Sequence, residues 1–510
     1  MKAGPIFFAS LFLSVSAIGA DYFDETEMTT LFAFDDISIP YTQNLKLEMR
    51  LPERHSENPV VPRGEPGTPD SRAVQFYGSI IRENGKFRMW YAAAGDGKNT
   101  GSKSVPWRVA YAESEDGVHW TKPNLGLVEY NGDKDNNLVQ MDPLLGALNV
   151  KVIRDPDDPD PERLYKMGVH AYWKNGDARH GTLAPYASAD GLDWKLLIDA
   201  EPDGSMMRAE DLVLPGFHFE PVGGLYKWEG LFHLSGQNAI SASRPYHGRV
   251  ARTFISPDFI HWSPESSIQI VRDAQHELLG PGRSREGEQT HEGISVWERS
   301  NVLVGTIGRW HGGSEWKDVT VDLGLVVSND GIRFREPAHE WVFLDYGEDG
   351  EWDQGGLLQG QGFENVGDET FIYYGAWDPR NWEDSPPRGG VGIATLPRDR
   401  FADLVTDEST KGAGDYQMEE TVCSLMTKPL KTPAEIYVNV DGLGDDARLR
   451  IEFLGHDARP IGESTTIATN GFQIPVAWNE SAQLPESIRL RVIFEGEERS
   501  GIRLSAIYLK

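Results

Sequence analysis

Acids capable of proton transfer recur at several places along this 510-residue chain, each beside groups that could orient a polar ligand. Asp155 lies in Arg154-Asp155-Pro156, at the end of the strand-like run Val150-Lys-Val152-Ile153. Glu210 and Asp211 stand just ahead of a second apolar run, Leu212-Val-Leu214. Neighbours on a strand point to opposite faces, so only one of that pair can easily look into a shared cleft; Glu210 is preferred, with Asp211 close behind. A third group holds Glu288, His291 and Glu292 in Glu-Gln-Thr-His-Glu-Gly, a carboxylate beside a histidine. Two such carboxyls suffice to break a bond between sugars: one protonates the leaving oxygen, and the other attacks or activates water. Arg309-Trp310-His311 offers a stacking surface and a cation for an oxygen-rich ligand. Asp353 and Gln361, in Trp352-Asp353-Gln354 and Gln359-Gly-Gln361, offer polar groups that suit hydroxyls. Each cluster also has a plainer reading. Asp155 opens an acidic turn with Asp157, Asp158 and Asp160, and the Glu288–Glu292 run reads equally as a solvated loop.

What must position these groups is a repeat. Ser114-Glu-Asp116-Gly117-Val-His-Trp120 returns as Ser188-Ala-Asp190-Gly191-Leu-Asp-Trp194, as Ser256-Pro-Asp258-Phe-Ile-His-Trp262 and as Ser328-Asn-Asp330-Gly331-Ile-Arg-Phe334. A period of about 70 residues marks a repeated supersecondary unit. Strand-like runs flank every copy, among them Phe87-Arg-Met-Trp90-Tyr91, Val109-Ala-Tyr111-Ala and Val302-Leu-Val-Gly-Thr306. Four antiparallel strands per unit make a propeller blade. The box is read as a turn, with Ser and Asp binding local backbone, Gly accepting positive φ and Trp or Phe packing between blades. A degenerate fifth copy includes Phe371-Ile-Tyr373-Tyr374 and Gly392-Ile-Ala-Thr395. The chain is therefore expected to be all-β, a five-bladed β-propeller over 21–410 followed by a small β-sandwich over 415–510. The stretch before Phe76 is expected to add a strand to blade one or blade five and close the ring. The sandwich is read from period-2 alternation in Arg448-Leu-Arg-Ile-Glu-Phe453, Ile488-Arg-Leu-Arg-Val-Ile-Phe494 and Ile502-Arg-Leu-Ser-Ala-Ile-Tyr508.

Composition narrows the partners. The net charge is −30 and no basic patch stands out, which argues against nucleic acid. It also argues against a polyanion held by the overall field, while a local cationic pocket could hold one sulfate or carboxylate. Cys423 is the one cysteine, so neither an internal disulfide nor a cysteine metal site can form. No strong metal motif is present, and room is left for a structural Ca²⁺ in the channel. Lys2, the apolar run Ile6 to Ile18 and the small residues Ala17, Gly19 and Ala20 read as a signal peptide over 1–20. Export to the periplasm or beyond is expected, with no membrane span in the mature chain.

With its Ser-x-Asp-Gly-x-x-Trp boxes and appended sandwich, the chain resembles glycoside hydrolases of families 32 and 43. The runs Lys86-Phe-Arg-Met-Trp-Tyr91 and Tyr111-Ala-Glu-Ser-Glu-Asp-Gly-Val-His-Trp120 carry the resemblance most clearly. It implies three carboxylates at the mouth of the central channel, drawn from the innermost strands of successive blades. Arg154-Asp155-Pro156 is similar to a family 32 motif whose Asp stabilises the transition state. Glu210 is similar to the family's general acid, with Glu292 as substitute, although the usual Glu-Cys pair is here Glu-Asp. Where family 32 places an acid on the first blade, this chain has Gln75-Phe-Tyr-Gly-Ser79 with Asp70 upstream. Another blade then supplies the nucleophile, or the mechanism differs, or the propeller only binds. The resemblance implies an exported glycosidase acting on a plant or algal carbohydrate without a cofactor. A non-catalytic carbohydrate-binding propeller is the alternative, and a scaffold whose sandwich mediates assembly is a third.

Overall fold

The structure, a computed structural model, describes residues 28–95, 107–238, 248–272, 285–381, 388–407, 422–478 and 484–510. The signal peptide expected over 1–20 lies outside the described residues. Among those described, only strands, turns and short 3-10 segments occur, and no helix is long and apolar enough to cross a membrane.

Five antiparallel units follow one another. The first three pair in sequence order: Ala73–Glu83 to Trp120–Thr121, Val150–Arg154 to Asp193–Leu196, and Glu220–Trp228 to Ser267–Ile270. The fourth has Gly287–Arg299, Val302–Gly312 and Thr320–Ser328, with Arg335 bridging back to Val327. The fifth has Leu357–Val366, Glu369–Ala376 and Val391–Pro397, and its outer strand is Glu53–Arg54 from the other end of the chain. The stretch before Phe76 thus joins the fifth unit rather than the first. Each inner strand contacts the next, and the last returns to the first, where Gln361 pairs with Ser79.

The repeated box is the turn between the third and fourth strands. Ser114 Oγ accepts from the Gly117 N–H at 2.9 Å, and Asp116 Oδ1 accepts from Val118 and His119 at 2.9 and 2.8 Å. Asp190, Asp258 and Asp330 repeat the pattern. The residue after Asp has positive φ, 83° at Gly117 and 74° at Gly331, and Phe259 takes the same conformation at 68°. The box also latches neighbouring units. Trp90 Nε1 donates to Gly191 O, Tyr226 to Gly331 O and Tyr373 to Gly117 O, at 2.7 to 2.8 Å. Trp90 and Trp194 are fully buried there, each contributing on the order of 2–3 kcal/mol.

The remaining strands form two sheets around one core. One has the order Leu45–Met49, Ala402–Thr406, Arg503–Leu509, Ile436–Asp441, Gly471–Pro475, with Thr29–Phe32 also on Arg503–Leu509. The other runs Tyr41–Gln43, Cys423–Met426, Ser487–Glu495, Arg448–Leu454, Pro460–Glu463. Leu31, Leu404, Leu425, Val438, Ile451 and Val492 share the core between them. This departs from the boundary at 21–410, because strands from 29–49 and 402–406 pair with the C-terminal strands. The reason is visible in the sequence: Leu45-Lys-Leu-Glu-Met49 alternates with period 2, as the C-terminal strands do. A buried pair fastens this body to the ring. Asp399 receives both Arg299 Nη1 and Nη2, at 2.5 and 3.1 Å, and the Tyr508 hydroxyl at 2.8 Å.

Because Asp330 closes a box by accepting two backbone N–H groups, Asp330→Ala should cost about 1–2 kcal/mol. A urea titration should show a lower midpoint, with any carbohydrate affinity unchanged at temperatures where the variant is folded.

Candidate active site

The inner strands of four units lose register near their beginnings, between Gln75 and Ser79, Glu220 and Gly224, His291 and Ile294, and Gln359 and Phe363. Bulges re-aim side chains and are frequent beside active sites. Glycine permits the close approach: a Cβ at Gly223 would stand 2.5 Å from Glu292 O, and one at Gly224 would stand 2.1 Å from Ile294 O.

Two carboxylates meet at this level. Glu220 opens the third inner strand. Glu292 sits in the bulge of the fourth with φ 63°, followed by Gly293 at 95°. A non-glycine residue in that conformation stores strain, which persists where the surroundings over-determine it. Gln237 joins the two: its Nε2 donates to Glu220 Oε2, and its Oε1 accepts the Glu292 N–H at 2.9 Å. The side chains of Glu220 and Glu292 keep 22% and 12% of their exposure. Glu292 Oε2 has no hydrogen-bond partner among the described residues.

The environments drive the two apart. Burial and then the charge of Glu220 push the Glu292 carboxyl well above the usual range, against Arg249 and Lys151. Burial also opposes ionisation of Glu220, but His218, His170 and Arg249 outweigh it and hold that carboxyl low. Two carboxyls shifted in opposite directions suit the division of labour that acid/base catalysis needs.

Aromatic groups wall the pair. His291 lies between Trp310 and Trp377, with ring centroids 5.3 and 5.7 Å away, and its Nδ1 is 3.1 Å from the Tyr77 hydroxyl. Burial brings its pKa down to about 3, so the ring is neutral. The Arg249 guanidinium stacks on Trp310 at 3.9 Å, and Arg179 covers the Tyr172 ring at 3.7 Å.

Of the acids singled out in the sequence, Glu292 is brought to this place with His291, and Asp155 is not. Asp155 lies in the turn after its strand, held by Lys227 at 2.8 Å and Lys166 at 3.3 Å. The strand from Glu220 to Lys227 rises about 3.3 Å per residue, which sets Asp155 roughly 20 Å from the pair. Arg154 beside it pairs with Glu83 at 2.8 Å. Glu210 is 69% exposed on the 3-10 turn Ala209–Asp211, and Asp211 is held by Arg208 at 2.6 Å. Leu212-Val-Leu214 is apolar because it packs between the second and third units, not because it is an inner strand.

The binding candidates are mostly engaged in the fold. Arg309 faces Asp322 at 3.1 Å and Glu340 at 3.4 Å. His311 bridges Glu288 and Asp322 at 2.7 and 2.8 Å. Trp310 is wholly buried and supports His291 and Arg249 rather than presenting a platform. Asp353 receives Arg54 at 3.1 Å and the Tyr374 hydroxyl at 2.9 Å, where the first and last parts of the chain join. Gln361 clasps the Leu225 backbone, accepting its N–H at 2.9 Å and donating to its carbonyl at 2.7 Å. Among the described residues no cluster of His, Cys, Asp or Glu is arranged to hold a metal ion, so the calcium expectation gains no ligand set there.

Sequence reasoning missed Glu220, His218, Gln237 and Arg249. A usable signal was present: a polar residue shortly before glycine opens each bulged strand, as in Gln75-Phe-Tyr-Gly78, Glu220-Pro-Val-Gly223, Glu292-Gly293 and Gln359-Gly360.

No family model matches the chain. Two curated relatives do, the Uncharacterized proteins Rv1502 and MT1551 from two strains of Mycobacterium tuberculosis, each 31% identical over 156 residues. The match takes in 30% of this chain and 44% of each relative, less than half of their length. Among solved structures, the chain is similar to glycoside hydrolases. One, from the GH130 family of mannoside phosphorylases and targeting β-1,2 mannosidic linkages in Candida mannan, is 17% identical, with 68% of this chain and 94% of that chain covered and a TM-score of 0.45. The Bombyx mori GH32 β-fructofuranosidase is 10% identical, with 86% and 91% covered and a TM-score of 0.39. A GH43 arabinoxylan arabinofuranohydrolase from Bacillus subtilis is 11% identical, with 86% and 96% covered and a TM-score of 0.38. Likenesses at this level leave reaction and substrate to the residues of this chain.

Two outcomes follow from the placements. Asp155→Asn weakens the contacts with Lys166 and Lys227 and should cost about 1–3 kcal/mol of stability. Ligand affinity and any turnover should stay at the wild-type level, which calorimetry and rate measurement check. His311, by contrast, has its folded pKa raised to about 9: burial opposes the cation, and Asp322 and Glu288 outweigh that. Its contribution is therefore complete below the unfolded value of about 6.5 and is lost as pH rises through about 9. The difference in urea midpoint between wild type and His311→Gln should shrink across that window.

Proposed function

We propose that the protein is an exported glycoside hydrolase that cleaves a plant or algal poly- or oligosaccharide with Glu292 as general acid and Glu220 as its ionised partner. The cyclic order of the five units is read as a five-bladed β-propeller. The two-sheet body is read as a β-sandwich extended by 29–49 and 402–406. The signal peptide over 1–20 directs the chain to the periplasm or the outside.

The observation that carries the reading is the placement of the two acids: Gln237 donates to the Glu220 carboxylate and accepts the Glu292 backbone N–H, and the surroundings push the Glu292 carboxyl up and the Glu220 carboxyl down. Glu292 protonates the leaving glycosidic oxygen, and Glu220 attacks the sugar or activates water. The neutral amide of Gln237 and the neutral ring of His291 add no charge that would undo the split. Asp155 and Glu210, implied by the family 32 resemblance, have no part in this assignment.

The test is a panel of chromogenic glycosides and plant and algal oligosaccharides, followed by reducing-sugar release. Wild type should give a bell-shaped pH–rate profile. Activity should fall as pH rises through the Glu292 ionisation and fall again as Glu220 becomes protonated in acid. Glu292→Gln should lose about 10²–10⁴-fold on natural oligosaccharides and much less on activated aryl glycosides, which need little protonation. Glu220→Gln should lose both. Wild-type rates in both variants would remove the pair from catalysis. Measurable binding without cleavage of any substrate would put a non-catalytic carbohydrate-binding propeller in the enzyme's place.

A further inference from the structure

We propose that His218 is a positioning residue that keeps Glu220 ionised through the Nε2–H tautomer that Gly181 selects. This rests on the reading of Glu220 as the ionised partner of Glu292.

The geometry sets the histidine's tautomer. The Gly181 amide donates to His218 Nδ1 at 2.9 Å. An amide N–H can only donate, so Nδ1 is the accepting nitrogen and the ring proton resides on Nε2. Nε2 stands 3.4 Å from Glu220 Oε1. The imidazole thus presents its positive end to the carboxylate without carrying a full charge. Adding a proton to Nδ1 would set two N–H groups against each other at 2.9 Å and break the contact with Gly181.

The loop is fixed at two points. Gly181 also accepts the Phe219 N–H at 3.1 Å, so the residues on either side of the His218–Phe219 peptide are both tied to one position of the second unit. Glycine is required there, since a Cβ would lie 2.5 Å from both His170 Nε2 and Phe219 O. The ring orientation is therefore set by backbone contacts from a neighbouring unit and does not depend on a flexible side chain.

Other ionisable groups also act on Glu220 or lie around this contact. From the second unit come His170, Tyr172, Arg179 and His180. His170 is wholly buried with its pKa brought down to about 4 by burial, and the Tyr172 hydroxyl is pushed away from ionisation. Arg179 lies over Tyr172, and His180 packs on His218 with ring centroids 6.1 Å apart. Arg249 approaches from the third unit and lies against Trp310. Glu292, from the fourth, disfavours a second negative charge. Among the described residues, the His218 ring stands against Glu220 with Nε2 3.4 Å from Oε1.

Two measurements on the full chain decide the matter. In ¹⁵N spectra of the wild type, the neutral His218 ring should show an unprotonated Nδ1 and a protonated Nε2. The opposite tautomer would overturn the proposal. The second follows the Glu220 carboxyl carbon in ¹³C-labelled protein, assigned by its absence in Glu220→Gln. In His218→Ala its titration should move to higher pH by about one unit or more. His218→Gln places an amide N–H where Nε2 was, and should return the titration toward wild type. An unchanged Glu220 titration in His218→Ala, or equal shifts in the Ala and Gln variants, would likewise overturn it. Neither readout depends on turnover, so a failure here is separate from a failure of the glycosidase assignment, which the activity of Glu220→Gln reports.

Discussion

Inner strands that contact one another in cyclic order leave little space and many backbone carbonyls between them, and the rest of the molecule depends on how both are met. Glycine meets the first, at Gly78, Gly223, Gly224 and Gly360, where a Cβ would strike a neighbouring backbone or ring. Lys151 meets the second. Its wholly buried ammonium donates to Gly78 O, Ser295 Oγ and Gln359 O, at 3.3, 3.1 and 3.2 Å, and so joins its own unit to three others. Gln361 spans to the third unit by clasping Leu225. Burial draws the Lys151 pKa well down, against the charge of Glu292. Burying the Lys151 amino group is tolerable because these three oxygens accept from it.

The same crowding prepares the carboxyl pair. Where the strands bulge, Glu292 is forced to positive φ and Glu220 is brought beside it, both with little water. Low exposure alone would protonate both acids. The asymmetry comes from what stands next to each: Glu220 has an imidazole N–H and the Gln237 amide, whereas Glu292 faces the charge of Glu220. Electrostatic difference is thus produced by backbone irregularity, with ordinary residue types.

The architecture was legible because its signals are local. Asp116, Asp190, Asp258 and Asp330 mark turns that need those residues for reasons contained within seven positions. The acid pair was only half legible. Glu292 stood out through its neighbour His291, whereas Glu220 looked like any acid before a proline, and its partners Gln237 and Arg249 lie on other strands. Asp155 misled because an Arg-Asp-Pro run at the end of a strand describes an ordinary turn as well as a site, and here that turn is held by Lys166 and Lys227. Glu210 misled because an apolar run that fills the gap between two units has the same composition as an inner strand. The N-terminal boundary was misplaced for a related reason: alternation in 45–49 identifies a strand but not the sheet it will join.

The outer strand of the fifth unit, Glu53–Arg54, waits for Val391–Pro397, and Thr29–Phe32 waits for Arg503–Leu509. The first segments to leave the ribosome therefore find partners only after nearly the whole chain has been made. Contacts so distant in sequence slow folding, because chain entropy must be lost before they give anything back. Until then the open edge of Ala73–Glu83, which the fifth unit will meet, can pair with any passing strand. A chain carried across a membrane in extended form would meet this wait on the far side, with its two ends free to find each other only after translocation is complete. The arrangement makes full length a condition of closure: a fragment that ends before residue 391 has nothing to shut the ring.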